Sequence, residues 1–95
     1  MSNADRHTGM RLPKKVRING KFWPVKETNV GLGKDLGRCV KSPKRAILVK
    51  KNQTDHEKKV TLVHEMLHEF MWFLDEACVE QIATDVVDAL EDCEE

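Results

Sequence analysis

The chain has 95 residues, 40% hydrophobic and 34% charged, which describes one small domain with a limited core. No apolar run approaches the roughly 20 residues of a membrane span and no charged-then-apolar secretory leader is present, so no membrane partner and a cytoplasmic location are expected. Net charge is zero, yet all sixteen Lys and Arg lie in residues 1–59 against five acids, while residues 60–95 carry eleven acids and no Lys or Arg. Such halves attract one another when packed together; alternatively, the basic half presents a surface to an acidic partner or to nucleic acid, although few aromatics interleave with its lysines. Cys39, Cys78 and Cys93 are odd in number and lack CxxC spacing, so they are read as reduced packing residues.

In chain order, the polar stretch Met1–Gly9 is expected to be a disordered leader or tag remnant, with Met10 the natural start and residues 10–95 a single domain. Lys15-Val16-Arg17-Ile18 and Lys21-Phe22-Trp23-Pro24-Val25 flank Asn19-Gly20, a pair suited to a type I′ hairpin turn. Pro24 suggests a strand edge or end, because it has no N–H to give a sheet ladder. Gly31-Leu32-Gly33 reads as a loop. Arg38-Cys39-Val40 and Ala46-Ile47-Leu48-Val49 read as two further short strands around a Ser42-Pro43 turn.

Helix is predicted from Thr54, where Thr54 and Glu57 make a capping box, to about Phe73, with Val60, Val63, Leu67, Phe70 and Leu74 on one stripe. A second helix is predicted from an Asp75 cap to about Leu90, with Val79, Ile82, Ala83, Val86 and Leu90 facing the core. The fold class is therefore α+β: a small antiparallel or mixed sheet, built from a hairpin and two short strands, packed on two antiparallel helices.

The first helix carries His64-Glu65-Met66-Leu67-His68, an HExxH pentad. Histidines four apart project from one helical face and can share Zn²⁺ at about 2.0–2.1 Å. Glu65 flanks that face, where its carboxylate can act as general base toward water made acidic by the ion. Both His sit at the border of the apolar stripe, the half-open position that a metal requires. A catalytic zinc usually takes a third protein ligand, and no third His follows at helical spacing, so a carboxylate of the second helix is expected. Azimuth on the helix favours Glu76; axial height in an antiparallel hairpin favours Glu80. Glu76 is preferred, with Glu80 the alternative third ligand.

The segments Thr61-Leu62-Val63-His64-Glu65-Met66-Leu67-His68 and Leu74-Asp75-Glu76-Ala77-Cys78-Val79-Glu80-Gln81-Ile82-Ala83 resemble the small phage and prophage relatives of the ImmA/IrrE-like zinc metallopeptidases, of gluzincin type. The resemblance runs from about Val16 to Leu90. It implies a minimal zincin-like arrangement in which His64, His68 and Glu76 (or Glu80) hold Zn²⁺ and Glu65 is the catalytic base. The interval from His68 to Glu76 is short for the family. The function expected is zinc-dependent peptide-bond hydrolysis, on a protein or peptide substrate such as a host or phage regulatory protein. The alternative is a non-catalytic, zinc-stabilised interaction module that binds a protein or nucleic acid through its basic half. The oxyanion partner is sought in His56 or an Arg of the strand half, since the chain has no Tyr. A peptide is expected to add to Ala46–Val49 as an extra strand, and Trp72 to line the cleft or cap the core.

Overall fold

The computed structural model describes residues 12–42 and 44–92; the expected leader Met1–Gly9, the start at Met10, turn residue Pro43 and Cys93 lie outside them. Four strands precede two helices: β1 (Lys15–Ile18), β2 (Lys21–Thr28), β3 (Gly37–Val40), β4 (Ala46–Lys50), α1 (Asp55–Phe70) and α2 (Glu76–Asp92). This is the small α+β fold with a mixed sheet that the pattern predicts. Asn19 and Gly20 both take positive φ, 52° and 80°, which a type I′ turn requires, and pair β1 antiparallel with β2.

The sheet order is β1-β2-β4-β3, with β2 parallel to β4 and β3 antiparallel to β4. β2 continues past Pro24 to Thr28 because it changes partner there: Lys21–Pro24 face β1, and Val25–Thr28 face β4. Pro24 thus marks a handover rather than a strand end. β4 is paired on both sides and cannot accept a further strand, contrary to the expectation for Ala46–Val49. Its unbroken run Ala46-Ile47-Leu48-Val49, with Ile47 and Val49 fully buried, is the mark of a central strand. β3 occupies the edge instead.

α1 starts from a complete capping box: the Thr54 hydroxyl accepts from the Glu57 N–H, and the Thr54 N–H donates to the Glu57 carboxylate at 2.9 Å. The helix lies between the sheet and α2, so it buries two faces rather than one stripe. Thr61, Leu62 and Met66 turn to the core of Ile18, Trp23, Ile47 and Val49. The opposite side, bearing His64 and His68, meets α2. The helix ends at Phe70, earlier than its periodicity suggests, so Phe70 is 43% exposed and Trp72 projects from the turn at 80% exposed. Trp72 neither caps the core nor lines the cleft.

α2 starts as predicted, with the Cys78 N–H donating to the exposed Asp75 carboxylate at 2.8 Å, and this hydrogen bond draws the Asp75 pKa down. α2 rests on α1, so only the narrow row Val79, Ala83 and Val87 is buried. Val86 and Leu90, expected in the core, are 39% and 59% exposed because nothing covers their side of the helix among the described residues. At the far end His56 Nδ1 meets Glu91 at 2.7 Å, and Lys59 Nζ reaches the same carboxylate at 3.1 Å, clasping the start of α1 to the end of α2.

Candidate metal centre

Helical spacing stacks His64 and His68 one turn apart on α1, and the antiparallel hairpin brings the first turn of α2 against them. The two Nε2 atoms stand 3.0 Å apart. Glu76 Oε1 lies 3.2 Å from His64 Nε2 and 2.7 Å from His68 Nε2, so three donor atoms converge on one point. Glu80 meets the other side of the first imidazole, 2.9 Å from His64 Nδ1. An ionised carboxylate only accepts, so a neutral His64 that gives its single proton to Glu80 through Nδ1 turns a bare Nε2 inward. Both carboxylates that the sequence nominates therefore reach His64, from opposite ring nitrogens.

That tautomer tests whether the residues fit a metal. With His64 Nε2 bare, His68 can donate one proton into the cluster, but the His64–Glu76 contact leaves two acceptors facing each other. A cation at the convergence satisfies all three atoms. Two imidazole nitrogens and a carboxylate oxygen are zinc donors, and their separations of 2.7–3.2 Å need only a small outward movement to match the about 3.3 Å spacing of donors around a tetrahedral Zn²⁺. A second cluster of His56, Asp88 and Glu91 does not fit. There the carboxylates sit on opposite ring nitrogens, at 2.7 and 3.6 Å, and the Lys59 ammonium already occupies Glu91 at 3.1 Å, where it would repel a cation.

Glu65 stays out of the donor set and points between α1 and β3. Burial is the main cause that raises its carboxyl pKa; His64, His68 and a hydrogen bond from the Cys39 thiol oppose the rise. Cys39 Sγ–H donates to the Glu65 carbonyl at 3.3 Å, and burial, reinforced by the charges of Glu65 and Glu69, pushes that thiol up to about 12. Cys39 is thus a partly buried packing residue beside Glu65, as read from the sequence, whereas Cys78, read the same way, is exposed. Gly37 makes this close approach possible. A Cβ there would fall 2.5 Å from Thr61 Cγ2, 3.1 Å from the Leu48 carbonyl oxygen and 3.2 Å from Glu65 Cγ.

A cleft of about 830 Å³ opens over these residues, walled by Lys34–Cys39 on one side and by His64, Glu65, His68, Glu76 and Glu80 on the other. Its strand wall is β3, whose outer edge pairs with no strand among the described residues. Arg38 lines the cleft, but its guanidinium is held by the Gly31 carbonyl at 3.1 Å and by Asp35 at 2.9 Å. His56, sought as an oxyanion partner, is held at the far end of the helix pair by Glu91 and does not line the cleft.

Sequence reasoning overlooked Gly37 and, although it predicted a strand at Arg38–Val40, the edge position of β3. The signal for Gly37 was faint, a single glycine opening an apolar run; that for β3 was the apolar continuity of β4, which marks the inner strand and leaves its partner outside. Comparison of the chain with family models, with curated proteins and with solved structures finds no match.

Proposed function

We propose that the chain is a zinc-dependent metallopeptidase in which His64, His68 and Glu76 hold the metal, Glu80 orients His64, and Glu65 is the general base. The observation that carries this reading is the convergence of His64 Nε2, His68 Nε2 and Glu76 Oε1 beside a half-buried glutamate in an open cleft. Zinc, when bound, supplies Lewis acidity, polarising a carbonyl and lowering the pKa of water toward about 7. Glu65 takes the proton from water and returns it to the leaving amine. Glu80 fixes the ring of His64 through Nδ1, the outer contact that ligating histidines commonly make. The resemblance of the pentad and of Glu76 to the ImmA/IrrE-like peptidases supports the same roles.

The substrate is a protein or peptide that adds to the free edge of β3, running past Glu65 and the histidines, rather than to β4. Host or phage regulatory proteins are the class the resemblance suggests. No described helix is long and apolar enough to cross a membrane, and the unpaired thiols of Cys39 and Cys78 suit a reducing cytoplasm. The test is cleavage of a proteome-derived peptide library by wild type and Glu65→Gln at matched zinc occupancy. Loss of the base is expected to cost about 10²–10⁴ in rate while zinc remains bound. Equal rates, or no cleavage by either protein, would contradict the reading.

A further inference from the structure

The sheet has a second face, turned away from α1, that the metal centre does not use. Val16, Ile18, Trp23 and Val25 pack inward, so strand alternation places Lys15 and Arg17 of β1 and Phe22, Pro24 and Lys26 of β2 outward. The cross-strand register extends that face from Lys26 through Leu48 to Arg38. Phe22 is 52% exposed and carries two cations over its ring, Lys15 Nζ at 4.5 Å and the Arg17 guanidinium at 5.4 Å from the centroid. The only acid in the four strands is Glu27, and it is taken by Lys58 of α1 at 2.7 Å. Arg38 is committed to Asp35, whereas Lys15, Arg17 and Lys26 make no ion pair among the described residues.

We propose that this face binds single-stranded nucleic acid, with a base stacked on Phe22 and neighbouring phosphates held by Lys15, Arg17 and Lys26. Charge complementarity selects a polyanion, and the exposed ring selects one with planar π-faces, since stacking is indifferent to base identity and favourable for all of them. A base settling on Phe22 displaces one of its two cations, which is then free for the adjacent phosphate. Phe22 and Lys26 are four residues apart on one strand, about 13 Å, so the face spans a short run of nucleotides rather than one phosphate. The chain has no net charge, and the acids of α2 lie on the far side of α1, so a polyanion is drawn to the sheet and not to the molecule at large. An acidic protein would meet the same cations but has no use for the ring. The inference is independent of the peptidase reading, because none of Lys15, Arg17, Phe22 and Lys26 lines the cleft.

The experiment is fluorescence anisotropy with an end-labelled oligothymidylate of about twelve nucleotides, titrated with the full chain at about 50 mM salt and above. Contact with three phosphates predicts that log K falls with log salt at a slope of about −2. Phe22→Ala is expected to weaken binding about tenfold, and Phe22→Leu, which keeps the apolar bulk but not the π-face, equally. Arg17→Glu combined with Lys26→Glu is expected to abolish binding, while the unfolding midpoint of each variant stays near that of wild type because these side chains are exposed. Absence of binding would overturn the proposal. So would equal affinity for a poly-glutamate peptide of matched charge, which would assign the face to acidic proteins, or equal affinity for a duplex of the same length, which would remove the role of stacking.

Discussion

Glu76 and Glu80 are four residues apart on one face of α2, and each finds a different nitrogen of His64. The azimuth argument turned Glu76 toward α1, where Glu76 reaches both histidines; the axial argument put Glu80 near the height of His68, but in the antiparallel pair His68 lies level with Glu76, and Glu80 meets His64 one turn away. The metal reading gives the two carboxylates unequal weight. Glu80→Ala is expected to weaken zinc binding about 10- to 100-fold, as loss of an outer contact does, and Glu76→Ala to weaken it further, by competition titration with a zinc chelator. The reverse ranking would make Glu80 the ligand. Gly37 is a second single-residue determinant, and one that sequence pattern scarcely reveals, since its role lies in what a Cβ would strike rather than in any turn. Gly37→Ala is expected to cost about 1–3 kcal/mol through overpacking against Thr61 and Glu65, read as a lower denaturant midpoint. An unchanged midpoint would show that β3 yields without cost.

Elements with local signals were legible in the chain. The Asn19-Gly20 turn, the Thr54–Glu57 capping box and the Asp75 cap each depend on residues within a few positions, and each forms as read. What was not legible depended on neighbours distant in sequence: the parallel pairing of β2 with β4, the two buried faces of α1, and the narrow buried row of α2. The helix pair is fastened at its open end by His56, Lys59 and Glu91. The hydrogen bond from His56 is the main cause that lowers the Glu91 carboxyl pKa, with Lys59 adding to it. A carboxylate depressed in the folded state contributes stability above its unfolded value of 4.5, and that contribution is lost as pH falls through the folded value. Glu91→Gln is therefore expected to be less stable than wild type near neutral pH, with the difference shrinking below about pH 4.5 in thermal unfolding. A difference that persists undiminished at low pH would show that packing, not ionisation, is what the mutation removed.

At the scale of the whole molecule, the segregated charges are only partly spent on holding the halves together. Among the described residues, the Lys/Arg-bearing half meets the acidic one in the ion pairs Lys41–Glu69 and Lys59–Glu91, leaving most of its cations facing outward. Composition revealed the asymmetry, but not that the strands would gather Lys15, Arg17 and Lys26 on one face. The core is equally divided: the sheet side packs Ile18, Trp23, Ile47, Val49 and Leu62, whereas α2 rests on α1 through a thin apolar row and the His–Glu cluster. A metal at that cluster would tie α2 to the rest, so binding free energy becomes folding free energy, and ligand at about 100 times its Kd would add about 2.7 kcal/mol. The most direct measurement is the zinc content of protein purified without chelators, with thermal unfolding before and after its removal. One zinc per chain, retained in Glu65→Gln, lost in His64→Ala and accompanied by a fall in Tm on chelation, is the predicted result; a content near zero with no uptake of added zinc and an unmoved Tm would contradict it.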